Sequence, residues 1–208
     1  MGLSAERLRH DLEALALREP ALARAIARVG IPPPRIRERG YATLLRTIIG
    51  QQVSVAAAES IWNRTAAALG GDAASVPAMV AADIDTLRGA GLSRQKIAYA
   101  KSLAELVAAG TLDLHALPGD DEDAIAALTA VKGIGRWSAE IYLLFAEGRG
   151  DVWPAGDLAV QIEVGRIMGL DARPGEKATR AIAEAWRPHR GAAAILAWHH
   201  YKSDMAVI

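Results

Sequence analysis

In none of its segments does this chain alternate apolar and polar residues with the period of two that a half-buried strand needs. Apolar residues instead recur three and four apart along most of its length. Examples are Leu8, Leu12 and Leu15 in LSAERLRHDLEALALRE, Leu44, Leu45, Ile48 and Ile49 in YATLLRTIIG, and Ile97, Leu103, Leu106 and Val107 in SRQKIAYAKSLAELVAAG. Ala, Leu and Glu, good helix formers, dominate, so the expected fold class is all-α. The breaks are equally legible: the Pro-rich IPPPRIRERG at 31–40 ends the first helical region, and Gly50 to Gln52 stop the next. Ser54 is placed to cap VAAAESIWNRTAAALGG. A short helix is expected near DIDTLRGA and an acidic-started one in DEDAIAALTAV. SAEIYLLFAEG reads as one deeply buried apolar helix, and LAVQIEVGRIMG, EKATRAIAEAW and GAAAILAWHHYKSD as the last helices.

A chain of 208 residues, 51% of them hydrophobic, is enough for one large domain or two small lobes sharing a core. It contains no cysteine, which excludes disulfides, thiolate zinc, cysteine-held iron–sulfur clusters and a cysteine nucleophile. Net charge is zero, which argues against affinity built on blanket attraction to phosphate. The charge is nonetheless uneven: Asp113, Asp120, Asp121, Glu122 and Asp123 stand without a base between them, whereas 173–202 carries six Lys or Arg against two Glu. A neutral total is therefore compatible with a basic face. The charged N-terminal stretch and the absence of an apolar run near the ~18 residues of a membrane span point to a cytoplasmic protein with no membrane partner.

Two motifs remain that packing alone does not require. In LTAVKGIGRWSAE, a turn of four residues joins two helices, and Gly133 and Gly135 permit positive φ and close backbone approach. Such a turn can present backbone N–H groups to one phosphate, with Lys132 and Arg136 adding charge and Ile134 pointing inward as a pin. Taken as a bare Gly-x-Gly, the same residues are a plain turn between helices. Downstream, GRGDVWPAGD delivers Asp157 at the start of LAVQIEVGR, where an aspartate is by itself a helix cap. Capping and chemistry are compatible there, because a capping carboxylate is held oriented.

The order of hairpin, apolar helix, Gly/Pro loop and Asp157 resembles the signature of the helix-hairpin-helix (HhH-GPD) DNA glycosylase superfamily. LLRTIIGQQVSVAAAESIW at 44–62 and GLSRQKIAYAKSLA at 91–104 are similar to segments of its DNA-3-methyladenine glycosylase II branch, so the likeness covers about residues 41–200. That resemblance implies a single domain of two helical lobes, approximately 41–145 and 1–40 with 146–208, with a DNA-binding cleft between them. It implies Asp157 as the catalytic carboxylate. Gln52, with Gln51 beside it, would be the wedge that fills the gap left by an extruded base. Trp137, Trp198 and Tyr142 would line the base pocket, with Tyr41 a further candidate, and the hairpin Lys132, Gly133, Ile134, Gly135 and Arg136 would grip the DNA backbone. His199 and His200 have no metal-ligand partners in the pattern and read as surface or capping residues.

Departures from the family pattern narrow the reading. Bifunctional relatives carry a lysine just after the hairpin to form a Schiff base; here that position is Trp137, so lyase chemistry through that amine is not expected. No cofactor is expected to be required, an iron–sulfur cluster is excluded, and a sodium or potassium ion at the hairpin carbonyls is an open expectation. The implied function is a monomeric, monofunctional glycosylase that releases alkylated bases such as 3-methyladenine and 7-methylguanine from double-stranded DNA. Uracil or oxidised purines as substrates, and a non-catalytic DNA-binding module, are the alternatives.

Overall fold

The computed structural model describes residues 2–205. Among them every regular element is helical. In chain order these are α1 (Ala5–Arg18), α2 (Pro20–Val29), α3 (Tyr41–Gly50), α4 (Val55–Ala68), α5 (Val76–Ala81), α6 (Ile84–Gly89), α7 (Arg94–Ala108), α8 (Asp121–Thr129), α9 (Arg136–Tyr142), α10 (Leu158–Met168), α11 (Glu176–Ile182) and α12 (Arg190–Met205). A π-helical turn, Leu143–Glu147, follows α9, and a 3₁₀ turn, Ala183–Trp186, follows α11.

The local causes follow the sequence signals. Ser4, Ser54, Ser75, Asp83, Ser93 and Asp120 all accept backbone N–H groups at helix starts. The first helical region is two helices, because Pro20 cannot continue α1 and starts α2 instead, where its missing N–H is no loss. Helix α5 was not legible in the sequence. It has only six residues, with Pro77 in its first turn, too few for a periodic pattern. The apolar run after the hairpin is not one α-helix: it changes to π geometry at Leu143, and Leu143, Leu144, Phe145 and Ala146 are all buried. π turns of this kind widen a helix locally and re-aim the following chain.

The chain forms two compact units. Residues 38–142 make one. Here α7 packs against α3, α5 and α6, α3 packs against α4 and α9, and α8 packs against α9. Leu44, Leu45, Ile48, Leu87, Leu103 and Leu128 are fully excluded from solvent at its centre. The described residues before 38 and after 142 make the other. In it α12 packs against α1, α2 and α10, and its small residues Ala192, Ala193, Ala194 and Ala197 are all buried, so neighbouring helices approach closely. Trp153 and Trp186 add an edge-to-face pair with centroids 5.4 Å apart.

Ion pairing changes the reading of charge. In the basic stretch after residue 173, Arg190 grips Asp151 at 2.9 and 3.0 Å and reaches Glu184 at 2.9 Å. Arg187 meets Asp151 at 2.6 Å and Glu184 at 2.9 Å, and Arg180 meets Glu176 at 3.0 Å. The cluster therefore ties helices and loops together, and with Arg173 bonded to Gln161 Oε1 at 3.0 Å, four of the six basic residues of 173–202 are engaged internally.

Candidate active site

The hairpin between α8 and α9 is closed by Val131 N–H donating to Leu128 O and Ile134 N–H donating to Val131 O, at 3.2 and 3.0 Å. Ile134 is buried, as the pin reading requires. The two glycines differ in their roles. Gly133 sits at φ +83°, and a Cβ there would fall inside the ring of Tyr99. Gly135 does not have positive φ; it is exposed, and a Cβ on it would meet no protein atom within 4 Å. Gly133 is thus fixed by internal packing, and Gly135 keeps the outer surface of the turn open to close approach.

Lys132 projects from this turn, exposed, while its backbone N–H donates to Ser102 Oγ at 3.2 Å. Arg136 is differently placed from the sequence reading. Its guanidinium bonds Glu122 at 2.8 Å through Nη1 and Glu140 at 2.9 Å through Nε, and the Glu122 hydrogen bonds hold it above an already high pKa. It clamps α8 to α9 while its side chain stays 40% exposed, beside the exposed Lys132 of the same turn.

The turn after α3 leans on the same hairpin. Gln51 Nε2 donates to Gly133 O at 2.9 Å. The buried Lys96 Nζ donates to Ile49 O at 2.7 Å, tying the last turn of α3 to α7, and burial pulls its pKa down. Between them lies an open polar hollow of about 260 Å³, lined by Gln51, Gln52, Gln95, Lys96 and Tyr99. Gln52 is the one non-glycine residue among those described with positive φ, at +56°, and its side chain is exposed. A left-handed residue other than glycine costs about 1–2 kcal/mol. Such strain persists only where surrounding structure imposes it, and it clusters at functional sites.

Trp137, 47% exposed, stands at the start of α9 in the same unit. Tyr142 is buried, and its hydroxyl accepts the Gly40 N–H at 2.8 Å, which anchors the entry to α3. Tyr41 is also buried. Among the described residues its hydroxyl has no hydrogen-bond partner, and burial pushes its pKa up.

Asp157 lies in the other unit. Pro154 O accepts its N–H at 2.9 Å and Gln161 Nε2 donates to Ala155 O at 2.8 Å, so the Gly/Pro loop is held at both sides of Gly156. Asp157 Oδ1 accepts the Val160 N–H at 3.0 Å, capping α10. The same oxygen accepts the indole Nε1–H of Trp198 at 3.1 Å. Trp198 in turn packs on Phe145, with ring centroids 5.5 Å apart. The structure therefore brings Asp157 and Trp198 together directly, although they are 41 residues apart in sequence.

Three neighbours were missed by sequence reasoning. Phe145, Arg35 and Arg37 carry no motif, yet Arg35 lies 5.5 Å from the Trp198 ring centroid and Arg37 lies 6.0 Å from that of Phe145. His200 also departs from the sequence reading. It is buried, with Nδ1 donating to Glu163 Oε2 at 2.5 Å and Nε2 accepting from Arg28 at 3.2 Å, because a buried carboxylate on α10 needs partners. His199 does cap: its Nε2–H donates to the last carbonyl of α2, Val29 O, at 3.0 Å.

Comparison with known proteins fits this geometry. Residues 45–188 match the model of the HhH-GPD superfamily base excision DNA repair proteins. DNA-3-methyladenine glycosylase 1 of Schizosaccharomyces pombe is 32% identical over 165 residues, 78% of this chain and 72% of that protein. A Bacillus subtilis relative is longer, and the chain spans 58% of it. Among solved structures, a DNA-3-methyladenine glycosidase from Bacillus halodurans superposes with a TM-score of 0.87 at 28% identity, covering 94% of this chain and 91% of that one. The S. pombe 3-methyladenine DNA glycosylase bound to abasic DNA gives 0.76 at 30% identity, covering 94% of this chain and 97% of that one. With the hairpin, the Gly/Pro loop and the capped aspartate in their family order, this chain belongs to the HhH-GPD superfamily of base excision DNA repair proteins, in the branch of the DNA-3-methyladenine glycosylases.

Proposed function

We infer that this chain is a monofunctional DNA glycosylase that hydrolyses the N-glycosidic bond of alkylated bases, of the 3-methyladenine and 7-methylguanine type, by base flipping. The observation that carries the reading is Asp157 Oδ1 held by two N–H donors, one of them from an aromatic residue that is itself a candidate pocket wall. A purine alkylated at N3 or N7 is already cationic, so its departure needs little acid assistance. The electron pair of the C1′–N bond leaves with the base, and the sugar develops oxocarbenium character. A fixed carboxylate beside C1′ stabilises that charge and orients the water whose oxygen takes the vacated bond and whose proton passes by way of that carboxylate to solvent.

The remaining residues serve extrusion and binding in this proposal. Gln52, already in its strained conformation before DNA arrives, fills the gap left by the base, which offsets part of the few kcal/mol that unstacking costs. Trp198, beside Asp157 in the same unit, offers a face to a cationic base, worth about 0.5–2 kcal/mol according to desolvation, and Trp137 presents an exposed aromatic face of the same kind on the other unit. Lys132 and the open surface of Gly135 take a backbone phosphate without reading sequence. A monovalent cation at the hairpin belongs to the same proposal. The Val131 and Gly133 carbonyls accept one hydrogen bond each, from Ile134 N–H and Gln51 Nε2, and a carbonyl oxygen has a second lone pair that fits a weakly held ion. No step of the hydrolysis runs through it. A monomer acting on double-stranded DNA in the cytoplasm completes the proposal; among the described residues no helix is long and apolar enough to cross a membrane.

The test is to incubate the protein with methylated duplex DNA and, separately, with uracil-containing duplex, and to identify the bases released. Release of 3-methyladenine or 7-methylguanine is expected. Release of uracil alone, or of no base despite DNA binding, would overturn the reading.

A further inference from the structure

Besides exposed lysines such as Lys177 and Lys202, the Asp157 unit carries two arginines without a carboxylate partner among the described residues, in the irregular segment before α3. Arg35 is half-buried and lies over the Trp198 ring, 5.5 Å from its centroid, and Arg37 lies 6.0 Å from that of Phe145. Among the described residues neither guanidinium makes a hydrogen bond or an ion pair. By contrast, Arg180, Arg187 and Arg190 in the same unit are held by carboxylates.

Arg35 is only partly desolvated and Arg37 is exposed. The five N–H donors of each guanidinium form a rigid fork suited to a planar or tetrahedral oxyanion, and no group of the described residues occupies them. Burial and the neighbouring charge of Arg37 both pull the Arg35 pKa down, and Asp157 is the group opposing them. The two arginines are thus close enough to repel, and the acid that attracts Arg35 is the proposed catalytic one. The chain enforces this arrangement. Pro32, Pro33 and Pro34 fix φ in the residues leading to Arg35, and Arg37 N–H donates to Phe145 O at 2.8 Å. Ile36 between them is 53% exposed.

We propose that Arg35 and Arg37 form a second phosphate clamp, carried by the Asp157 unit and independent of the hairpin, which takes DNA backbone phosphates and draws Arg35 off the face of Trp198 as it does so. The inference rests on the glycosylase reading for its ligand. Like charges that repel in the free protein are brought into register by phosphate, and a bidentate phosphate contact replaces a cation–π contact that satisfies no donor. Trp198 is only 9% exposed, so it becomes a wall for a cationic base once the flexible side chain lying over it moves. Phosphate binding and pocket opening are thereby one event. The charge stationed on the indole before DNA arrives has the same sign as the alkylated base that follows it.

The experiment measures binding to a duplex carrying a stable abasic analogue across a salt series, so that no base release is needed. The slope of log K against log salt falls by about 0.9 for each phosphate that the protein no longer neutralises. Arg35→Ala and Arg37→Ala should each lower the slope magnitude by about 0.9, and the double variant by about twice that. Arg180→Ala, which removes the same charge from an internally paired arginine, should leave the slope unchanged. Arg35→Lys keeps the charge and should keep the slope, but lose the bidentate fork and bind more weakly at every salt concentration. An unchanged slope in the double variant, or an equal loss in Arg180→Ala, would overturn the clamp. Far-ultraviolet circular dichroism and thermal melts verify that each variant is folded. Release of methylated bases by the wild type is measured separately: no release with a reduced slope in the double variant defeats the glycosylase reading and keeps the clamp, whereas release with an unchanged slope does the reverse.

Discussion

Trp198→Phe isolates one hydrogen bond at the proposed catalytic carboxylate. Phenylalanine keeps an apolar ring against Phe145 but removes the Nε1–H that meets Asp157 Oδ1 at 3.1 Å. The second donor, Val160 N–H at 3.0 Å, remains, so α10 keeps its cap and Asp157 stays at the helix start. A hydrogen bond to a charged acceptor contributes about 1.5–3 kcal/mol. At 1.36 kcal/mol per tenfold in rate, loss of that orientation corresponds to a fall in the base-release rate of about 10- to 160-fold. The assay is single-turnover release of 7-methylguanine from methylated duplex at saturating enzyme, with affinity for an abasic duplex measured in parallel by fluorescence anisotropy. A fall in the chemical step with affinity changed less than about threefold is expected. An unchanged single-turnover rate would refute the idea that the indole N–H orients Asp157, and an equal loss of affinity would make Trp198 a binding wall alone.

The two hairpin glycines should separate stability from binding. Gly133→Ala combines left-handed strain of about 1–2 kcal/mol with repacking of Tyr99 at about 1–3 kcal/mol, and should lower Tm by several degrees in a thermal melt. Gly135→Val faces open solvent and should stay within about 0.5 kcal/mol of the parent in stability, yet weaken binding to all duplex sequences alike; a loss confined to one sequence would contradict a phosphate contact. Gln52→Gly relieves about 1 kcal/mol of strain, which glycine's extra chain entropy offsets, so denaturant unfolding should change little while base flipping, read by 2-aminopurine fluorescence, falls. Tyr41→Phe removes a buried hydroxyl without a partner and should raise stability by about 1 kcal/mol. In the parent, the native state keeps the Tyr41 proton to higher pH than the unfolded chain does, so stability should fall as pH rises above about 10, and less so in Tyr41→Phe.

The helices were legible because their causes are local. Serine or aspartate caps, apolar residues three and four apart, and breaks at the Pro-rich 31–40 and at Gly50 to Gln52 all act within one or two turns. The hairpin and Asp157 were legible for the same reason, each lying in a contiguous motif. What escaped the sequence depends on long-range contact. Nothing local distinguishes Arg35 and Arg37, whose partners are aromatic rings more than a hundred residues away, from the internally paired Arg187 and Arg190. The pairing of Arg136 with Glu122, fourteen residues earlier, gives no sign in the sequence. His200 looked peripheral because its partner Glu163 lies on another helix. The π turn at Leu143 left no trace in composition, since its residues are as apolar as those of α9.

The most direct measurement is base release by Asp157→Asn. Asparagine is nearly isosteric and caps helices as well as aspartate does, so fold and DNA affinity should be preserved. The negative charge beside C1′ is lost. Release of methylated bases should fall to the background of the uncatalysed reaction while binding to an abasic duplex persists. Asp157→Asn enzyme that still releases methylated bases at the parental rate would contradict the assignment of Asp157, and with it the proposed chemistry.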